Sequence, residues 1–240
     1  MPKARLDQAV VARGLTRSRS QAESYIKLGQ VKVNGRTVNK PGFLVSEAAD
    51  VELTAGEQYV SRAALKLASV AQVLKLDFRD RTVLDVGSST GGFTDYALRH
   101  GAKKVIAVEV GKEQLHPSLR SDGRIELHEQ TDIRDVNQLS SPAQLVMADV
   151  SFISLREILP HVARLIGPQT QIVAMVKPQF EAAASRQKHK GVIKNDQLRR
   201  GILKDFESWV QGYFIILGKA DSSVAGAKGN RERFYLLRKA

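Results

Sequence analysis

The sequence predicts an α/β protein, a doubly wound and largely parallel sheet preceded by a small α+β module. Three observations predict it. From Ser61 onward, short Val/Ile-rich runs alternate with helical periodicity, the pattern of buried parallel strands flanked by helices. The first of those runs, TVLDVG, opens directly into a glycine-rich turn and then a helix, as strands do beside a ligand-binding crevice. The first sixty residues instead show two short amphipathic stretches and a hairpin signal. The expected division is 1–59 and 60–240.

In the first segment, Leu6, Ala9, Val10 and Leu15 form a helical stripe that Gly14 terminates. Thr16 or Ser18 can cap a second helix carrying Ala22, Tyr25, Ile26 and Leu28, closed by Gly29. VKVNGRTV centres on Asn34-Gly35, a strong type I′ hairpin signal, and DVEL is another short strand. Beyond the boundary, Ala63, Leu67, Val70 and Leu74 share one helix face. Strands are expected at TVLDVG, KVIAVEV, IELHE, LVMADV, IVAMVKP, FIILG and RFYLLR. Helices are expected at FTDYALRH, SLREILPHVARLI and NDQLRRGILKDFESWV. EAAASRQKHKG and SSVAGAKGN read as surface loops.

The chain of 240 residues has a formal net charge of +12, which favours an anionic partner, nucleic acid first. The charge is concentrated: residues 1–40 hold nine Lys/Arg and two Asp/Glu, whereas residues 41–60 hold four acidic residues and no Lys or Arg. Arg5, Arg17, Arg19, Lys27, Lys32, Arg36 and Lys40 are therefore candidates for a phosphate-binding face. Arg186, Lys188, His189 and Lys190 form a second basic stretch, as readily a solvated loop as an RNA contact. The absence of cysteine excludes disulfides and thiol chemistry. The N-terminus has no signal-peptide run, and no stretch approaches the roughly 18 apolar residues of a spanning helix, so a soluble, cytoplasmic protein is expected. Histidines 100, 116, 128, 161 and 189 show no metal-binding spacing, and no metal is expected.

The string LDVGSSTGGFTDYAL carries the most chemistry. It is neither a dinucleotide fingerprint nor a Walker loop. Its glycines let backbone approach a ligand closely, and Asp85 at the strand's end can meet a cationic or amino group. Glu109, twenty-four residues on and at the end of the next strand, suits a ribose diol. Asp132, after IELHE, is equally suited to an adenine amino group or to capping a turn. Phe152 is a candidate to line the cofactor or substrate cleft, but core packing is the stronger expectation, as for most apolar aromatics. Lys66, Asp149, Lys177 and Glu232 stand at element ends or beside the expected cleft, and Lys177 interrupts an apolar strand end. Asp149 with Lys177 could be a structural ion pair, Lys66 a solvated helix residue, and Glu232 a partner of Arg231 or Arg233.

DVGSSTGGFTD, ADVSFISL, MVKPQFE and GNRERF, with YVSRAALKL upstream, resemble the TlyA family of rRNA 2′-O-methyltransferases, also called hemolysins, within the wider FtsJ-like group. The similarity spans nearly the whole chain, and DVGSSTGGFTD together with KPQFE is its most specific part. The first sixty residues resemble the family's S-four RNA-binding domain. Ser88 departs from the alanine of many relatives, a small polar change that the loop should tolerate.

The resemblance implies a Rossmann-like methyltransferase sheet, S-adenosylmethionine as cofactor, rRNA or ribosomal subunits as partner, and (cytidine-2′-O) methyl transfer. It places Asp85, Gly87, Ser88, Ser89, Thr90, Gly91, Gly92, Phe93, Glu109, Asp132 and Asp149 around the cofactor. Lys66, Asp149, Lys177 and Glu232 match the family's Lys-Asp-Lys-Glu tetrad. Lys177 would then be the base, Asp149 would orient it, and Lys66 and Glu232 would position the ribose. The alternatives are a membrane-active hemolysin and an RNA-binding protein with an inactive methyltransferase fold.

Overall fold

The computed structural model describes residues 3–16, 18–55, 59–185, 191–226 and 229–240. Arg17, Gln58 and the basic stretch 186–190 lie outside the described residues. The N-terminal unit contains β1 (Lys3–Arg5), α1 (Leu6–Ala12), α2 (Arg19–Lys27), β2 (Val31–Val33), β3 (Arg36–Thr37), β4 (Leu44–Ser46) and β5 (Val51–Leu53). Ser18 caps α2, its hydroxyl accepting from Gln21 N at 3.2 Å, a contact of the kind worth about 1 kcal/mol. Asn34 and Gly35 both take positive φ (48° and 76°), as a type I′ turn requires, and join β2 to β3. The pairing of β1 with β4 was not expected; it joins segments some forty residues apart.

The rest of the chain forms α3 (Arg62–Ala71), β6 (Thr82–Val86), α4 (Gly92–Arg99), β7 (Lys104–Val108), α5 (Pro117–Arg120), β8 (Ile125–His128), β9 (Leu145–Ala148), α6 (Leu155–Leu165), β10 (Gln171–Val176), α7 (Pro178–Glu181), α8 (Asp196–Val210), β11 (Phe214–Asp221) and β12 (Arg233–Lys239). Seven strands make one sheet in the order β11-β12-β10-β9-β6-β7-β8. Strands β6 to β10 are parallel, and β12 runs antiparallel to both β10 and β11. The chain leaves β6 toward β7 on one side and returns as β9 on the other. That reversal opens a crevice at the carboxyl end of β6.

Successive residues of β6 feed opposite layers. Leu84 and Val86 join one apolar core with α6 and α8, while Val83 joins the other with α3 and α4. All five residues of β6 are buried, at about 1.5–3 kcal/mol for each large aliphatic side chain, so the strand's carboxyl end is held rigidly. A third core fills the N-terminal unit and takes in Leu65 of α3 and Val224. Tyr59 packs against both the N-terminal core and the α3/α4 layer. Val60 N donates to Asp95 of α4 at 2.8 Å, tying the junction to the helix that follows the glycine-rich turn.

Candidate active site

The turn 87–91 sits at the crevice because β6 ends there and α4 begins at once. Gly87 and Gly91 take φ of 80° and 87°, and Ser89, at 47°, shares the left-handed region. Gly87 N and Ser88 N both donate to Val108 O, folding the turn against β7. A side chain at Gly87 would stand 3.0 Å from the Asp149 carbonyl, so the glycine lets the β6 and β9 ends close together. Glu109, just past β7, accepts from Ser89 N at 2.9 Å through one oxygen and from Gly111 N at 2.8 Å through the other.

A cleft of about 490 Å³ opens here, lined by Gly87, Ser89, Glu109, Asp132, Asp149 and Phe152 among others. Asp132 takes the capping role that its sequence position allows, accepting from Arg134 N at the 3₁₀ turn 133–135, and it also stands at the cleft. Ser88, Thr90, Gly92 and Phe93 border a smaller neighbouring cavity of about 110 Å³, which also touches Asp149, Ser151 and Lys177. Phe93 is otherwise a core residue packed on Phe234.

Two residues of the expected cofactor set line neither the cleft nor the smaller cavity. Asp85 is fully buried beneath the turn, where its Oδ2 accepts from Thr94 Oγ1 at 2.6 Å and its Oδ1 has no partner. Burial, with Asp149 and Glu109 nearby, pushes its carboxyl up to about 7. Gly91 turns toward α5: a Cβ there would lie 2.5 Å from Leu119 Cδ1 and 2.6 Å from Leu115 Cδ1, so helix packing explains this glycine.

A third cleft, of about 460 Å³, adjoins the first on the far side of Ser151 and Phe152. Lys66, Lys177, Gln179, Phe180, Asn230 and Glu232 line it. Lys177 Nζ lies 2.5 Å from Asp149 Oδ1, and Lys66 Nζ lies 2.6 Å from Glu232 Oε2, all four side chains being at most 15% exposed. Lys66 is therefore not a solvated helix charge, and Glu232 pairs with it rather than with Arg231 or Arg233. Burial pushes the Glu232 carboxyl up against the pull of Lys66. Asp149 and Lys177 stand at the wall between the clefts, and the Lys66–Glu232 pair lines the third cleft with Lys177.

Phe152 corrects the expectation of a core residue. It is 92% exposed, holds φ at 66°, and stands 5.2 Å from the Phe180 ring at the rim shared by both large clefts. Ser151, Gln179, Phe180 and Asn230 were missed by sequence reasoning, although ADVSF and KPQFE contain the first three. Gln179 Oε1 is buried without a hydrogen-bond partner. Glu181 pins the same region from below, accepting from Ser154 Oγ at 2.6 Å and Leu155 N at 2.7 Å.

Of the expected phosphate contacts, Arg5 and Arg19 both close on the buried Asp7, at 3.0 and 2.8 Å, and are committed to joining β1, α1 and α2. Lys27, Arg36 and Lys40 are exposed and Lys32 is half-buried. Among the described residues there is no group of three His, Cys, Asp or Glu side chains able to hold a metal, and no helix is long and apolar enough to cross a membrane.

Family models match an FtsJ-like methyltransferase over residues 59–239 and an S4 domain over residues 4–51. The chain is 36% identical to the 16S/23S rRNA (cytidine-2′-O)-methyltransferase TlyA of Mycobacterium tuberculosis, over 98% of this chain and 90% of that one. It is 36% identical to Hemolysin A of Brachyspira hyodysenteriae, over 95% and 97% of the two chains. A solved structure of a hemolysin-named protein from Streptococcus thermophilus superposes with a TM-score of 0.72 at 36% identity, covering 100% of this chain and 90% of that one. The sheet fold alone is shared with an S-adenosylmethionine-dependent methyltransferase of Mesorhizobium loti, at a TM-score of 0.53 and 12% identity over 72% and 97% of the two chains. With the matched model spanning the whole sheet and its site, the chain belongs to the FtsJ-like methyltransferase family, in the TlyA branch of it.

Proposed function

We propose that this protein transfers a methyl group from S-adenosylmethionine to a ribose 2′-hydroxyl of ribosomal RNA. The observation that carries the reading is the meeting of two large clefts at one wall, where the Lys177–Asp149 pair stands beside the Lys66–Glu232 pair. The relatives' names point to cytidine as the nucleoside.

The first cleft fits the donor. Its glycine-rich floor admits close approach, Glu109 offers carboxylate oxygens for a ribose diol, and Asp132 offers one for an amino group. The unpartnered Oδ1 of Asp85 and the buried, unpartnered Ser88 Oγ lie at the turn. An anionic floor of this kind suits a cationic ligand. When bound, the donor supplies an electrophilic methyl carbon and departs as a neutral thioether.

The second cleft takes the acceptor ribose. Lys177, as the neutral amine left once it has given up its ammonium proton, receives the proton of the 2′-hydroxyl as that oxygen attacks, and Asp149 holds the Lys177 nitrogen at the wall between the clefts. Lys66 and Glu232 hold the ribose side by hydrogen bonding and fix the local field. Exposed Lys27, Arg36 and Lys40 on the N-terminal unit contact RNA phosphates, and RNA offers the 2′-hydroxyl that DNA lacks. A ribosome-modifying enzyme works in the cytoplasm, which sets the expected compartment. The test is mass spectrometry of rRNA fragments after ribosomal subunits are incubated with protein and donor. One added methyl on a ribose supports the reading, and unmodified rRNA refutes it. Leakage from lipid vesicles, measured beside it, addresses the hemolysin reading.

A further inference from the structure

Ser151 borders all three cavities, and its Oγ accepts from Lys177 Nζ at 2.7 Å. The same nitrogen lies 2.5 Å from Asp149 Oδ1. A tetrahedral nitrogen has three positions besides its bond to Cε. One of them faces the Ser151 hydroxyl, while the Asp149 oxygen holds the nitrogen as an ion pair outside hydrogen-bond alignment. Lys177 also lines the acceptor cleft, where the Phe180 ring stands 5.9 Å from Nζ.

We infer that Ser151 is a positioning residue for methyl transfer: its hydroxyl supplies the directed hydrogen bond that the Asp149 ion pair lacks, and so orients the Lys177 nitrogen toward the acceptor cleft. The inference rests on the reading of Lys177 as the base. With Asp149 alone, the long and flexible lysine side chain could pivot about a single ion pair. A second oxygen removes that pivot. A hydroxyl does so without a second negative charge, which would favour the charged ammonium that has no lone pair for the proton.

The segment carrying Ser151 is built to hold such a geometry. At its start, Asp149 N donates to Val86 O at 3.0 Å. At its end, the buried Glu181 takes both Ser154 Oγ and Leu155 N. Between these anchors Phe152 turns the chain through the left-handed region at φ 66°. Ser151 thus stands on a short segment pinned at both ends, which is how a hydroxyl is kept within a few tenths of an ångström of its partner.

The test compares Ser151→Val with Ser151→Thr, which are close in shape but differ in the hydroxyl. Methyl transfer to ribosomal subunits, the KM for RNA, donor binding by calorimetry and the thermal midpoint are measured for each. Ser151→Val should lose about 10- to 100-fold in kcat, the scale of a misplaced reacting group, while Ser151→Thr stays within about threefold of the parent. KM for RNA and donor affinity should stay within about twofold in both variants. A Ser151→Val enzyme with parental kcat, or one whose loss lies in KM or donor affinity, overturns the inference. If Ser151→Val unfolds at a lower temperature, Ser151→Ala replaces it with the same expectation. Lys177→Ala is run in parallel. Normal turnover there removes the base itself, whereas an inactive Lys177→Ala beside a fully active Ser151→Val removes only the role of Ser151.

Discussion

Lowering the pH from 7.5 to 6.0 should weaken donor binding about eightfold, through Asp85. This carboxylate has no accessible surface and its Oδ1 has no partner; burial first, then Asp149 and Glu109, hold it at about 7 instead of 3.8. A sulfonium donor favours the ionised form. If only that form binds, the competent fraction is about three-quarters at pH 7.5 and about one-tenth at pH 6.0, a ratio near eight or about 1.2 kcal/mol. The donor's own amino group, half-neutral near about 7.7–8.0, is already about a quarter to two-fifths neutral at pH 7.5, which works slightly against this ratio. Calorimetry in two buffers of different ionisation enthalpy should show release of almost one proton on binding at pH 6.0 and only a small fraction at pH 7.5. Stability moves the other way: with a raised folded value, the contribution of Asp85 to folding is fully present below about 4 and is lost as the pH rises through about 7. The donor should therefore raise the thermal midpoint more at pH 7.5 than at pH 6.0. A dissociation constant unchanged between the two pH values, with no buffer-dependent heat, would refute this reasoning. So would an Asp85→Asn variant that keeps the full pH dependence.

Three further outcomes are expected. Lys177→Ala should lower kcat at least about 100-fold, the usual contribution of a positioned base, while RNA affinity measured by filter binding is unchanged. Glu181→Ala should cost about 2–4 kcal/mol in urea unfolding, because Ser154 Oγ and Leu155 N lose their buried acceptor. Replacing Lys27, Arg36 and Lys40 together with Gln should reduce the salt slope of rRNA binding by about two to three, and an unchanged slope would take these residues off the phosphate face.

The sheet was legible because each buried strand is a local fact. TVLDV, KVIAV and QIVAMV are each dominated by a run of aliphatic residues and bounded by polar or glycine residues. Asn34-Gly35 was legible because only a few residue types accept two successive positive φ values. By contrast, β1 reads Lys-Ala-Arg and shows no alternation; it becomes a strand only because Leu44–Ser46 runs beside it. The glycine-rich string disclosed a turn but not the jobs of its members. Gly87 lets two strand ends approach, whereas Gly91 makes room for Leu115 and Leu119, and nothing in the string separates them. Phe152 was misread for a related reason. An aromatic beside an apolar strand usually packs inward, and here a left-handed residue between two anchored ends turns it outward. Ser151 was invisible because its one informative contact lies on Lys177, twenty-six residues away.

The pairing within the tetrad follows from the direction of one strand. Asp149 and Lys177 directly follow the parallel strands β9 and β10, so both arrive at the carboxyl edge of the sheet. Glu232 precedes β12, and a strand's start belongs at the opposite edge if the strand is parallel. With seven residues and a rise of about 3.3 Å each, a parallel β12 would carry Glu232 roughly 23 Å away. Because β12 is antiparallel, Arg233 registers with Val176, and Glu232 emerges next to Lys177. Lys66 completes the set from α3, whose Leu67 and Val70 are buried in the layer shared with Phe234 of β12. The reversed strand β12, between β10 and the edge strand β11, is thus a condition of the chemistry: it brings a second carboxylate to a site that the parallel strands alone would furnish with one.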